Sequence, residues 1–209
     1  MPTTLLSKAE AWDIVGGLSR PSKMPGWSYG LPAAECKTGS KLQSKPGTVC
    51  SGCYALKGNY RFSNVKNASY RRLASLSHPQ WVDAMVALLH YHLDTRWFRW
   101  HDSGDLQGMK HLRMIVEVAE RCPDVRFWLP TRERIFVYSY LKQHGEFPPN
   151  LVVRVSGTMI DGPAPPAFKN TSTVVTSNES CPAPSQNNEC GPCRQCWDPE
   201  TKNVSYRKH

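Results

Sequence analysis

An apolar run that ends in polar residues occurs three times between Trp97 and Thr158, and no other feature limits the fold of this chain as much. Trp97 to His101 leads into Asp102-Ser103-Gly104-Asp105, Val125 to Leu129 into Thr131-Arg132-Glu133, and Leu151 to Val155 into Ser156-Gly157-Thr158. Residues at helical spacing fill the gaps: Leu112, Ile115, Val116 and Ala119 after the first run, Tyr138 and Leu141 after the second, stopping near Gly145. Strands that alternate with helices build parallel sheets. Trp27 to Leu31 can add a short first strand and Thr173 to Val175 a last one. These units are too few for a complete eight-stranded barrel, so the chain is predicted to be an α/β protein, a partial (βα) barrel or open parallel sheet. In such folds the polar residues at the C-terminal ends of the strands line the ligand site.

The flanks differ from this core. Residues 1–65 are rich in Gly, Pro, Ser and Lys and read as an ordered loop region with a short helix around Ala9 to Gly16; residues 66–177 hold the βα core; residues 178–209 form a cysteine-rich tail. Trp81, Met85, Leu88 and Leu89 follow His78-Pro79 at helical spacing, which predicts a helix there, preceded by a shorter one. At 209 residues the prior is a single domain. Seven Trp, eight Tyr and six Phe supply enough apolar surface to offset the entropy of ordering.

No run approaches the roughly 18 apolar residues of a membrane span, and the first twenty residues lack the order of a secretory signal. A cytoplasmic location is therefore expected, with no membrane partner. Eight cysteines in that compartment are reduced thiols, and their clustering points to metal before disulfides. Cys181, Cys190, Cys193 and Cys196 are spaced C-x8-C-x2-C-x2-C, while Cys50 and Cys53 form another C-x2-C with Cys36 upstream. A two-residue spacer lets both thiolates turn toward one metal. Zinc held by the four C-terminal cysteines is the alternative metal. Successive C-x2-C-x2-C steps instead favour an iron-sulfur cluster, of the 4Fe-4S type, because zinc hooks are usually separated by a longer arm. One cluster that draws on both groups and two separate clusters, the N-terminal one with a free iron, both remain open. Cys122, before Pro123 at a predicted helix end, reads as a packing residue.

The segments Cys50-Ser51-Gly52-Cys53-Tyr54-Ala55, Asp102-Ser103-Gly104-Asp105-Leu106 and Cys190-Gly191-Pro192-Cys193-Arg194-Gln195-Cys196-Trp197 resemble those of the phage family called gene product 88, over Leu31 to Trp197. The order of features also resembles that of radical S-adenosylmethionine enzymes, with cluster cysteines after the first strand, an acidic-glycine segment after the second and Arg154-Val155-Ser156 after the fourth. That family's C-x3-C-x2-C is replaced here by Cys36-x13-Cys50-x2-Cys53. The resemblance implies a partial barrel, a cluster and S-adenosylmethionine as a candidate cofactor, and makes a radical or other redox enzyme the leading expectation.

Asp102 and Asp105 are candidates for acid and base work, with helix capping as the structural alternative. Ser103, Gly104, Glu133, Arg154 and Ser156 are candidates for holding a small-molecule ligand, although Glu133 with an arginine also suits an ion pair within the fold. His101 reads as structural. Lys57, Arg61, Lys66, Arg71 and Arg72 lie among Tyr54, Tyr60, Phe62 and Tyr70, and with the net charge of +9 they raise nucleic acid as a candidate partner. A nucleic-acid-binding protein with a structural cluster and a zinc-stapled interaction module are thus the competing functions.

Overall fold

The computed structural model describes residues 6–92 and 95–208. Six strands run β1 Trp27–Tyr29, β2 Trp97–Trp100, β3 Arg126–Thr131, β4 Leu151–Ile160, β5 Thr171–Val175 and β6 Asn203–Arg207. They lie side by side in sequence order, every neighbouring pair parallel, as an open sheet with β1 and β6 at its edges.

Six α-helices precede or connect the first four strands. Helix α1 spans Lys8–Val15; α2 Lys37–Leu42, α3 Ser63–Ser75 and α4 Trp81–Tyr91 join β1 to β2; α5 Met109–Arg121 and α6 Arg134–His144 join the next pairs. Helix α1 starts at a capping box, in which Ser7 and Glu10 satisfy each other's backbone N–H groups, and stops at Gly16 in the left-handed region. The segment ahead of α4, read as a shorter helix, is the longer α3. The third apolar run and its polar end form one strand of ten residues, β4.

Alternation along the strands divides the sheet into two faces. Tyr29, Phe98, Trp100, Phe127, Leu129, Leu151, Val153 and Val155 pack with the buried faces of α1, α4, α5 and α6 in the main core. Cys122 belongs to this core. Intervening residues turn the other way, where Trp97 and Trp128 meet Val204, Tyr206, Cys181, Cys196 and Trp197 in a second core. That face carries the cysteine-rich segment instead of a helix layer.

The tail does not trail off after the last strand. The sequence reading ends the strands at Val175, yet Asn203–Arg207 forms β6 on the far side of β5. Its alternation is too polar to declare a strand, since only Val204 is fully buried. The cysteines therefore sit in a β5–β6 connection anchored at both ends. Arg154, fully buried on β4, holds that connection by donating to the carbonyls of Cys196 at 3.0 Å, Gln195 at 2.6 Å, Asp198 at 2.8 Å, Thr201 at 2.8 Å and Thr171 at 3.3 Å. Trp197 adds an indole N–H bond to the carbonyl of Phe98 at 2.9 Å.

Candidate functional site

Seven cysteines fall into two groups. The first is built by the β1–β2 connection. Thr48 caps a 3₁₀ turn over Val49–Gly52, accepting from Ser51 N, and the strand end at Met159 forms an isolated bridge with Thr48. The amide of Ile160 also donates to the carbonyl of Gly47 at 2.9 Å. The long end of β4 thus fixes the segment that presents Cys50 and Cys53. Helix α2 begins directly after Cys36, and a Cβ placed on its Gly39 would stand 3.6 Å from the sulfurs of both Cys36 and Cys50. The bare glycine is what lets these two thiols approach.

Burial, with Asp105, Cys53 and Cys50 nearby, pushes the Cys36 thiol well up. Burial also raises Cys50, against the pull of the Arg132 guanidinium. Asp105 is buried and accepts from Thr131 Oγ1 at 2.6 Å, Leu106 N at 2.7 Å and Arg132 N at 2.8 Å. Those donors lower its pKa, but burial dominates and lifts it to about 6. A carboxyl near neutrality in range of the Cys36 and Cys50 thiols can hold or release a proton at physiological pH.

The second group belongs to the tail. Cys181 is pinned to β6 by its amide bond to Ser205 O at 3.0 Å, Cys190 to Lys23 O at 2.9 Å, and Cys193 to the Cys190 carbonyl at 3.0 Å. Cys181, Cys190 and Cys193 lie in one another's electrostatic range, and Cys181 is likewise in range of Cys196. Cys196 is buried, raised to about 11 by desolvation, with its sulfur 3.1 Å from the Tyr206 hydroxyl.

Arg99 lies between the groups. Its position between Phe98 and Trp100 puts it on the helix-free face, where its guanidinium sits 4.4 Å from the centre of the Trp128 ring and donates to Tyr54 Oη at 3.4 Å. It faces Cys190 and Cys196 on one side and Tyr54, Tyr60 and Asp102 on the other. Asp102 receives the Tyr54 hydroxyl on its carbonyl at 2.6 Å, while its Oδ1 is buried without a hydrogen-bond partner among the described residues. Arg99 Nε and Arg132 Nε are buried and unpartnered in the same way. Native structures seldom leave such groups bare.

The other candidate residues have structural employment. Ser103 donates its hydroxyl to Leu31 O at 2.7 Å, and Gly104, at φ 77°, leaves no room for a Cβ, which would stand 2.6 Å from that of Leu31. Glu133 forms no ion pair with Arg154; its carboxylate accepts from Thr38 N at 2.7 Å and Thr38 Oγ1 at 3.0 Å, steadying α2. Ser156 pairs with Ser172 at 2.9 Å. His101, with φ 54°, and His111 form an edge-to-face pair, and both are buried and held neutral by desolvation. Sequence reading missed Arg99 and Tyr206 as site residues. For Arg99 a signal existed: a charge at an alternate position of an aromatic strand must have a partner on the other face.

Among the described residues, no three His, Cys, Asp or Glu side chains are drawn together tightly enough to hold a single metal ion. A metal here has to draw its thiols in as it binds, releasing their protons. No helix of the described residues is long and apolar enough to cross a membrane.

The chain matches the family Gene product 88 over residues 4–199, and it belongs to that family. No curated protein and no solved structure matches it.

Proposed function

We propose that this protein binds two iron-sulfur clusters, one on Cys181, Cys190, Cys193 and Cys196 and one on Cys36, Cys50 and Cys53, and that the second keeps one iron open to a ligand. The observation that carries this reading is the division of seven thiols into a group of four and a group of three, with Cys122 alone in the helix-packed core. Four thiolates complete a cluster, whereas three leave a coordination position. The donors are sulfur only, which suits iron-sulfur chemistry, and the Arg132 guanidinium, whose Nε is left bare, lies in electrostatic range of Cys36 and Cys50 of the incomplete group. Asp105 is the residue best placed to move a proton for a molecule bound there.

The protein is thus read as a redox enzyme whose cluster engages a ligand at the C-terminal ends of β2 and β3. S-adenosylmethionine is the first ligand to try at the open iron, by the resemblance in feature order. Zinc in the four-cysteine group is the competing metal. Anaerobic purification followed by iron, sulfide and zinc analysis with an optical spectrum tests the reading. A brown protein with iron and acid-labile sulfide supports it, and a colourless protein with stoichiometric zinc and no iron overturns it.

A further inference from the structure

Residues 36–82 hold eight Lys and Arg and no Asp or Glu, so this single segment carries nearly all of the net charge of +9. The same segment holds Cys36, Cys50 and Cys53. Of its eight cations only Arg72 is buried, bonded to the carbonyls of Gly17 and Gly30. The rest are exposed.

Aromatic rings stand among these charges on the outside of the protein. Phe62 is 59% exposed at the start of α3, and Lys66 and Tyr70 follow at four-residue steps, which places all three along one exposed stripe of the helix. The stripe ends next to the cysteine group, where the Tyr70 hydroxyl reaches Glu35 Oε1 at 3.3 Å, one residue before Cys36. Tyr54, directly after Cys53, is 42% exposed. Rings to stack on and cations to meet phosphates are together what a flexible strand of nucleotides requires.

We propose that this surface binds single-stranded nucleic acid and leads it to the three-cysteine group. The inference rests on the reading above for what happens at that group, and names the class of ligand it serves. A duplex is a poorer fit, because its bases are stacked on each other and closed to the rings.

The test is fluorescence anisotropy of the anaerobic full-length protein with labelled single-stranded DNA and RNA 20-mers, the matching duplexes, and vesicles of phosphatidylcholine with phosphatidylserine. Single strands are expected to bind best. Phe62→Ala should weaken them about tenfold, by loss of one stacking platform. Arg61→Ala with Lys66→Ala should lower the slope of log K against log salt by about 1.4, since each phosphate contact on a single strand contributes about 0.7. Lys142→Ala with Lys202→Ala, exposed cations outside the segment, should change little. Tighter binding to duplex or to vesicles, an unchanged affinity in Phe62→Ala, or an equal loss in the two double variants would overturn the proposal. Iron measured on the same samples separates the two readings: iron without strand binding removes only this inference, and strand binding without iron removes only the clusters.

Discussion

Arg154 Nε donates to the carbonyl of Cys196 at 3.0 Å, across the helix-free face of the sheet, and through this bond and its four companions one buried side chain determines where the tail cysteines lie. A hydrogen bond from a charged donor is worth about 1.5–3 kcal/mol. Arg154→Met leaves five carbonyls without that donor, and a loss of about 3 kcal/mol or more is expected by urea denaturation. Arg154→Lys should recover little, because an ammonium cannot reproduce the planar fork. Metal in the tail group should fall while Cys36, Cys50 and Cys53 keep theirs. An Arg154→Met protein of unchanged stability would show that the tail is held by other means.

Gly39 offers a test with an unusual sign. In a helix, Gly→Ala ordinarily stabilises by up to about 1 kcal/mol. Here the added Cβ would stand 2.9 Å from Cys36 Cβ, so Gly39→Ala should instead destabilise the protein and reduce the iron held by the first group. Thermal melts and iron analysis of the variant check this, and a stabilised protein with full iron would contradict the close approach of Cys36 and Cys50.

Cys122 should be dispensable for metal. It is 3% exposed among helix and strand side chains, and its thiol is raised to about 11 by burial. Cys122→Ser places a hydroxyl in that core and should cost about 1–3 kcal/mol, with iron content unchanged. Loss of iron in this variant would show that the cysteines are wrongly divided.

Acid should weaken the fold through its buried histidines. Burial depresses His111 to about 3, so the folded state keeps it neutral where the unfolded chain takes up a proton. Its contribution is fully present above the unfolded value near 6.5 and is lost as pH falls from there toward 3, at about 1.4 kcal/mol per pH unit. His101 is lowered as well, for the same reason. Between pH 7 and pH 5 His111 should cost about 2 kcal/mol, and His101 adds to the loss in the same direction. In His111→Phe the loss over that interval should be smaller by its share, as measured by urea denaturation at the two pH values. An equally steep loss in the variant would place the acid sensitivity elsewhere.

The sheet was legible because its strands β2, β3 and β4 announce themselves. Phe98 and Trp100, Phe127 and Leu129, Val153 and Val155 are apolar enough to mark buried strands, and each run breaks into polar residues where the strand ends. The sixth strand was hidden, since Asn203, Ser205 and Arg207 are polar and meet their partners, Thr171 and Thr173, Ser180, and Glu179, only in the folded protein. The cysteine spacing showed which residues belong together and could not show where. That depended on Arg154, which looked like a ligand-binding residue at a strand end and proved to be a tether to five carbonyls. Arg99 was overlooked because its neighbours, Trp128, Tyr54 and Tyr206, come from three separate parts of the chain.

Iron counted per chain in the anaerobic wild type, in Cys53→Ser and in Cys193→Ser tests the two-cluster reading most directly. Two separate clusters require about eight irons in the wild type and about four in each variant, taking four per cubane, with each variant keeping the cluster of the untouched group. About four irons in the wild type and none in either variant would contradict it, and would mean that both cysteine groups close on one cluster.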